Sequence, residues 1–305
     1  MRILVTGSAG FIGSHLTDAL VGEGHEVIGI DDLSTGRSDN LRQGSTEWHR
    51  ADIVKPGSFD WVGDLDVIYH CAASYKDRSD WERDANTNVL GTINVVREAQ
   101  RTNARLIYFQ TSLCYGPNPS SPVPTDAPLD PHGSYAISKT AGEAFIRDSG
   151  LDWVSFRLAN VYGPRNLSGP VPAFYQRLSQ GHPCTVVDSR RDFVYINDLV
   201  RVAVAAAARG RGIYHVSSGR DISVEEVYYA VCKAMGIESG PVEIMPRGPD
   251  DVATLLLDPL DTYLEFGWAA NTPLVTGIHK AVAWYRSHSI SEVFTHLAPP
   301  VAART

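Results

Sequence analysis

The sequence predicts an α/β fold: a doubly wound parallel sheet, followed by a smaller C-terminal α/β lobe. Three observations lead there. The chain opens on a short apolar strand that runs directly into Gly7-x-x-Gly10-x-x-Gly13 and then into a helical pattern. Apolar strands and amphipathic helices alternate through the first 160 residues, the rhythm that places helices on both faces of a parallel sheet. After Asn160 that rhythm fades into Pro- and Gly-dense segments (Gly163-Pro, Gly169-Pro-Val-Pro172, His182-Pro183).

In chain order, Met1–Thr6 reads as the first strand and Ser14–Gly22 as the helix after it. His25–Ile30 is the second strand, ending at Asp31-Asp32, and Val67–Ala73 is a buried strand. A long helix is expected from about Trp81 to Arg101, then strand Leu106–Gln110, helix Tyr135–Asp148 and strand Trp153–Leu158. Regular structure returns with a helix starting near Asn197 and the strand Ile213–Val216. The expected division is a dinucleotide domain at 1–160, rejoined by 192–218, and a lobe within 161–305, formed mainly by 161–191 and 219–290. The Pro/Ala tail from Ala298 onward is expected to fray.

The glycine triplet has the order that a dinucleotide pyrophosphate requires. Gly7 permits the tight turn, Gly10 the close approach of backbone to phosphate, and Gly13 the packing of helix on strand. The anion then rests on the unpaired N–H groups of the helix N-terminus. Asp31 closes the second strand, where a carboxylate accepts hydrogen bonds from the adenosine ribose. The same carboxylate repels a 2′-phosphate, so NAD is expected over NADP, Arg37 being the neighbouring group able to bind such a phosphate. Strand ends at Gly7, Asp31, Ala72 and Thr111 should gather at one edge of the sheet.

Composition narrows the field further. The net charge is −8, the pI about 5.7, and no Lys/Arg run occurs, which argues against nucleic acid and anionic membrane as partners. No apolar run reaches membrane-spanning length, and Leu199–Ala208 is an amphipathic helix carrying Arg201. The chain starts on a core strand with no signal-peptide pattern, so a cytoplasmic setting is expected. Cys71, Cys114, Cys184 and Cys232 are scattered and read as small buried residues rather than bridges. The histidines lack metal-ligand spacing; no metal is expected, and His70 reads as a satisfied structural residue.

Tyr135-Ala-Ile-Ser-Lys139 places a phenol and an ammonium on one face of a helix. Using a tyrosine as a base near pH 7 requires a fall of roughly three units from its usual value of about 10. A neighbouring ammonium and a positively charged nicotinamide can together supply it. The pattern is cheap by itself; its position one strand and one helix after Thr111-Ser112 gives it weight. Thr111 or Ser112 could hydrogen-bond a substrate hydroxyl and relay its proton.

These segments together resemble the extended short-chain dehydrogenases/reductases, in the NAD-dependent nucleotide-sugar epimerase/dehydratase family, and most of all enzymes of the UDP-glucose 4-epimerase type. The resemblance is carried by Thr6–Ser14, Gly29–Leu33, Ala51-Asp-Ile53, His70-Cys-Ala-Ala73, Asn88–Thr92 and Thr111–Gly116. It continues through Tyr135–Lys139, Arg157–Pro164 and Arg191–Asp198, nearly the whole chain in the right order. It implies that Gly7, Gly10, Phe11 and Ile12 hold the pyrophosphate of NAD, Asp31 and Asp32 the ribose, and Asp52 with Ile53 the adenine, with Ala72 beside the cofactor. Thr111, Tyr135 and Lys139 would be catalytic; Thr111, Ser112, Asn160, Val171, Arg191 and Arg247 would meet a nucleotide-diphosphate sugar, a UDP-sugar being favoured. Pro172 and Phe174 are further candidates for sugar or base contacts.

Departures from the family pattern are informative. Arg247-Gly-Pro-Asp-Asp251 differs from the usual Arg-Pro-Gly-Asp, and Lys76 falls one place after the lysine that meets the nicotinamide ribose in related epimerases. In 4,6-dehydratases Asp-Glu follows the catalytic Thr, and in decarboxylases Glu stands two places after it; here those places hold Ser112 and Leu113. Leu113 has no acid–base chemistry, so the resemblance implies 4-epimerisation, with dehydration, decarboxylation or 4-keto reduction as the alternatives and a non-catalytic NAD-binding protein as a more distant one. The family default is a homodimer through the Tyr/Lys helix and the helix before it. Members of this kind serve surface polysaccharides or glycosylated metabolites.

Overall fold

The computed structural model describes residues 1–41, 46–116, 121–247, 252–288, 290 and 292–294. The tail from Ala298 lies outside them. The strands β1 (Arg2–Thr6), β2 (Glu26–Asp31), β3 (Glu47–Arg50), β4 (Val67–His70), β5 (Arg105–Thr111) and β6 (Trp153–Leu158) pair in parallel in one sheet. A later strand, Gly212–Val216, adds to β6, giving seven strands in the spatial order Gly212–Val216, β6, β5, β4, β1, β2, β3. This is a Rossmann-type sheet whose order reverses between β1 and β4, so the crevice for a ligand opens at their carboxyl ends.

Period-two alternation feeds two cores. Ile3, Val5, Tyr69, Ile107 and Phe109 face one side of the sheet, while Leu4, Ile68, Leu106 and Tyr108 face the other. Helix α1 (Phe11–Gly22) follows β1 and begins three residues earlier than its sequence pattern suggests, because the third glycine is already helical. The expected long helix is interrupted: α2 (Trp81–Ala85) and α3 (Thr92–Thr102) are joined by a π-helical turn, Asn86–Gly91. Asn88 on that turn accepts from Ser74 N–H at 2.8 Å and donates to Ser138 Oγ at 3.0 Å, bonds that periodicity cannot foretell. Helix α4 (Ser134–Asp148) follows β5 and packs on α3.

The second lobe contains β7 (Asn160–Tyr162), α5 (Pro170–Ser179), β8 (Thr185–Val187) and β9 (Arg190–Tyr195). Helix α6 (Ile196–Ala205) then packs on α1 and leads to β10, the Gly212–Val216 strand of the large sheet. Strand β9 itself pairs with β7, β11 (Asp221–Ser223) and β13 (Thr254–Leu255), so the chain re-enters the large sheet through α6 rather than at residue 192. Helix α7 (Val224–Met235) starts on a capping box of Ser223 and Glu226. Strand β12 (Glu243–Met245) pairs with β8, and α9 (Leu274–His288) packs on α7 in the lobe, whereas α8 (Leu260–Phe266) packs on β10 of the large sheet, within the stretch expected to belong to the lobe.

A buried polar chain ties the layers together. Glu143 on α4 receives both nitrogens of the Arg157 fork, at 2.6 and 3.2 Å, and Ser155 Oγ at 2.6 Å. Arg157 also donates to Tyr115 Oη at 2.7 Å. His215 must donate from Nδ1 to the Asp258 carbonyl at 3.0 Å, so its Nε2 accepts the Tyr115 hydroxyl at 2.6 Å. Burial holds His215 neutral, its pKa down to about 4. Glu143→Leu strands the Arg157 charge in the core and should cost about 3–5 kcal/mol in urea unfolding; a loss below 1 kcal/mol would contradict the role given to this pair.

Candidate active site

The glycine loop is shaped by backbone contact. Gly7 has φ +69°, and a Cβ on it would stand 2.7 Å from Ala72 N, so β1 and β4 leave no room for a side chain at the switch point. A Cβ on Gly13 would strike the Gly7 carbonyl oxygen. Asp31 Oδ2 accepts Ala9 N–H at 2.9 Å and Oδ1 accepts Leu33 N–H at 2.8 Å. Asp31 therefore staples the loop to the end of β2 while keeping a second lone pair on each oxygen for a ribose. Burial raises its pKa, and the two amides oppose that rise. Asp32 is more open, accepting Ser34 N–H at 2.8 Å with Arg83 at 3.9 Å.

A cleft of about 1240 Å³ runs from this loop to the second lobe. Gly7, Gly10, Phe11, Ile12, Asp31, Asp32, Asp52, Ile53 and Ala72 line its first end. Thr111, Ser112, Tyr135 and Lys139 line its middle, and Asn160, Val171 and Arg191 its far wall. Arg191 donates to the Val252 carbonyl at 2.8 Å, and Asn160 to the Asp192 carbonyl at 3.2 Å, so β9 and β7 fix both side chains.

Two sequence candidates stay out. Arg247 is exposed and does not line the cleft: it lies two residues past β12, beyond the end of that strand's pairing with β8, whose Thr185 and Val187 do line it; residues 248–251 lie outside the described ones. Pro172 turns into the lobe's core, and its neighbours Val171, Ala173 and Phe174 line the cleft instead. Lys76 does line it, though its ammonium pairs with Glu292 at 3.0 Å.

The catalytic candidates occupy the ends of β5 and the first turns of α4. Thr111 Oγ1 accepts Leu113 N–H at 3.2 Å, which leaves its own proton to donate. Lys139 is buried, its Nζ 3.8 Å from the Tyr108 ring centroid, and the Tyr108 hydroxyl donates to the Lys139 carbonyl at 3.0 Å. Burial lowers the Lys139 ammonium from 10.5 to about 7, against the pull of Cys71 and Glu143. Burial also raises the Tyr135 phenol well above its ordinary value, helped by Tyr75 and Asp84. The sequence expectation assigned the fall in this phenol's pKa to the ammonium and a cationic nicotinamide acting together, and the protein by itself holds only the first of these. Burial is the largest cause of the rise.

His70 is structural, as its place in the sequence suggests. Thr92 Oγ1 donates to the Asn88 carbonyl, so it accepts His70 Nε2–H at 2.9 Å. His70 Nδ1 then accepts the Thr6 hydroxyl at 2.8 Å. The four cysteines are free thiols, three of them buried.

Residues that the sequence reading passed over also face the cleft. Tyr75 lies edge-on to Tyr135 with ring centroids 6.2 Å apart. Gln110 Nε2 and Arg165 Nη1 are buried donors with no partner among the described residues, and both side chains belong to the cleft wall. Arg165 follows the Gly163-Pro164 pair and holds Asp18 of α1 at 2.8 Å through its other nitrogen. Only its position beside a quoted motif could have singled it out. A glycine cradle at a helix N-terminus, acceptors at the β2 end and an unsatisfied guanidinium donor together fit a dinucleotide diphosphate.

Such a site defines a dinucleotide-dependent α/β enzyme that works on a hydroxyl-bearing substrate. The model of the NAD dependent epimerase/dehydratase family matches residues 3–217, and the chain belongs to that family. A UDP-glucose 4-epimerase of Mycolicibacterium smegmatis is 34% identical, over 95% of this chain and 100% of its own. The Bordetella bronchiseptica enzyme WbmH, solved in complex with NAD+, superposes with TM-score 0.91 at 44% identity, over 95% of this chain and 99% of that one. WbmG of the same organism, solved with NAD and UDP, gives 0.90 at 40%, over 98% and 99%. NAD is the cofactor.

The Lys139 shift has a consequence for stability. Between about 7 and 10.5 the unfolded chain binds the proton that the native lysine has lost, so this group makes the cofactor-free protein more stable as pH rises through that window. Its burial penalty is complete below about 7. Lys139→Met should flatten the rise in unfolding free energy between about pH 7 and 9; unchanged slopes would count against it.

Proposed function

We propose that this protein is a nucleotide-sugar 4-epimerase acting on a UDP-sugar. The observation that carries it is the convergence of Thr111, Tyr135 and Lys139 beside the glycine-loop cleft, with Leu113 where a second acid would stand. The structure of WbmG with UDP supports the choice of nucleotide. The carboxylates lining the cleft among the described residues are Asp31, Asp32, Asp52, Asp77 and Asp80, none of them on the Ser112–Gly116 turn. Chemistry at C5 or C6 therefore lacks an agent beside Thr111.

When bound, NAD supplies a hydride acceptor and donor at sugar C4. Tyr135 takes the O4 proton, with Thr111 as relay, and returns it after the sugar has turned. Lys139 holds positive charge beside the phenolate. Arg191, Asn160 and Arg165 offer donors for the diphosphates, and a fixed diphosphate lets the flat 4-keto ring present its other face. Binding at that remote anchor favours reaction at the carbon.

Leu90 on the π-helical turn, and Ile137 and Phe145 on α4, the helix that carries the Tyr/Lys pair, expose 40%, 53% and 47% of their surface. This apolar face suits an isologous homodimer. Cytoplasmic turnover feeding polysaccharide or glycosylated-metabolite assembly fits the same reading. No described helix is long and apolar enough to cross a membrane.

Tyr135→Phe should lower kcat for UDP-glucose/UDP-galactose interconversion by roughly 10²–10⁴-fold while leaving UDP affinity within about two-fold. A variant of near-normal rate would remove the phenol from the mechanism. A panel of nucleotide sugars followed by NMR tests the reaction itself: release of a dehydrated or decarboxylated product would replace epimerisation. Ile137→Asp with Phe145→Asp should give monomers in sedimentation, and a monomeric wild type would overturn the dimer.

A further inference from the structure

Glu292–Phe294 make contacts to both lobes, and Phe294 lines the cleft. They follow α9, which is anchored by the wholly buried Tyr285. There Phe294 N–H donates to the Leu167 carbonyl at 2.8 Å, and Gly169 N–H donates to the Phe294 carbonyl at 3.2 Å. Those bonds hold the segment to the second lobe, immediately before α5 and Val171. On the other side Glu292 meets Lys76 Nζ at 3.0 Å, and the same ammonium lies 4.4 Å from the Phe294 ring centroid. Lys76 belongs to the loop after β4, next to Tyr75, whose ring touches that of Tyr135.

The nearby carboxylates have other work. Asp77 accepts Ser79 N–H and Oγ at 2.9 and 2.6 Å, and Asp80 caps α2 through Arg83 N–H at 3.0 Å. Glu292 is the acid left to face Lys76 across the gap. Lys76 and Phe294 both line the cleft, so this contact sits between the catalytic phenol and the helix that carries Val171.

We propose that Glu292 and Phe294 form a clasp with Lys76 that retains the sugar end of a bound nucleotide sugar while the ring turns. Both are positioning residues; neither touches the reacting carbon's proton or hydride. The need is specific to the reaction proposed above, on which this inference rests: an oxidised sugar that leaves before its hydride returns is lost to the cycle. The Lys76–Glu292 pair is exposed, with side chains 44% and 66% accessible, so the clasp should weaken with salt.

The test uses NAD-loaded full-length protein carrying Tyr135→Phe, so that UDP-glucose binds without turning over. Dissociation rates of UDP-glucose and of UDP are measured by stopped-flow displacement, with and without Glu292→Gln or Phe294→Ala. Glu292→Gln should raise the UDP-glucose rate about two- to five-fold, and Phe294→Ala about ten-fold, with UDP changed less than two-fold. The parent rate for UDP-glucose should climb between about 50 and 500 mM salt, and Glu292→Gln should lose most of that dependence. Unchanged UDP-glucose rates, or equal effects on UDP and UDP-glucose, would overturn the clasp and leave the epimerase reading standing. Failure of the parent to bind UDP-glucose at all, with UDP bound normally, would overturn both.

Discussion

The position of α4, the helix that carries Tyr135 and Lys139, depends on one buried ion pair. Glu143 and Arg157 are almost wholly inaccessible, at 1% and 2%, and each would be costly without the other. Their bidentate geometry admits little sliding of α4 along β6. Lys139 and Tyr135 lie one and two turns earlier on that helix, so a shift that spoiled the pair would also move the phenol. The same guanidinium reaches Tyr115, on the turn that begins with Ser112, and through it His215 on the last strand of the large sheet. One charge thus registers three elements that carry or adjoin Ser112, Tyr135 and Lys139.

The switch point works by a different principle, exclusion of side chains. Gly7 lies against the backbone of Cys71 and Ala72, and Gly13 against Gly7 itself. Asp31 then closes the loop with two backbone amides. The cradle is therefore rigid before any ligand arrives, and the N–H groups at the start of α1 face the cleft without needing to be ordered by it.

The electrostatics of the middle of the cleft are unfavourable for catalysis in the protein by itself. Desolvation raises the Tyr135 phenol and brings Lys139 down to about 7, so each tends toward its neutral form. A dry pocket magnifies whatever charge a ligand brings.

Much of this was legible in the chain. The strand–glycine–helix opening, the alternation through Leu158, the Asp31 carboxylate and the Tyr135/Lys139 spacing are local patterns, dictated by backbone sterics, side-chain period and helix geometry. Those act over a few residues, so a linear reading captures them. The π-helical turn at Asn86–Gly91, the outward course of Arg247, the inward turn of Pro172 and the arrival of Phe294 at the cleft are decided elsewhere. Each results from partners distant in sequence: Ser74 and Ser138 for the turn, β8 for the path to Arg247, the packed helices α5, α7 and α9 for Pro172, and Leu167–Gly169 for Phe294. The sequence determined by itself which groups could do chemistry, because identity and short spacing fix that. Only the tertiary structure decided which of them share one desolvated cleft, and burial there, not spacing, sets how readily they hold a proton.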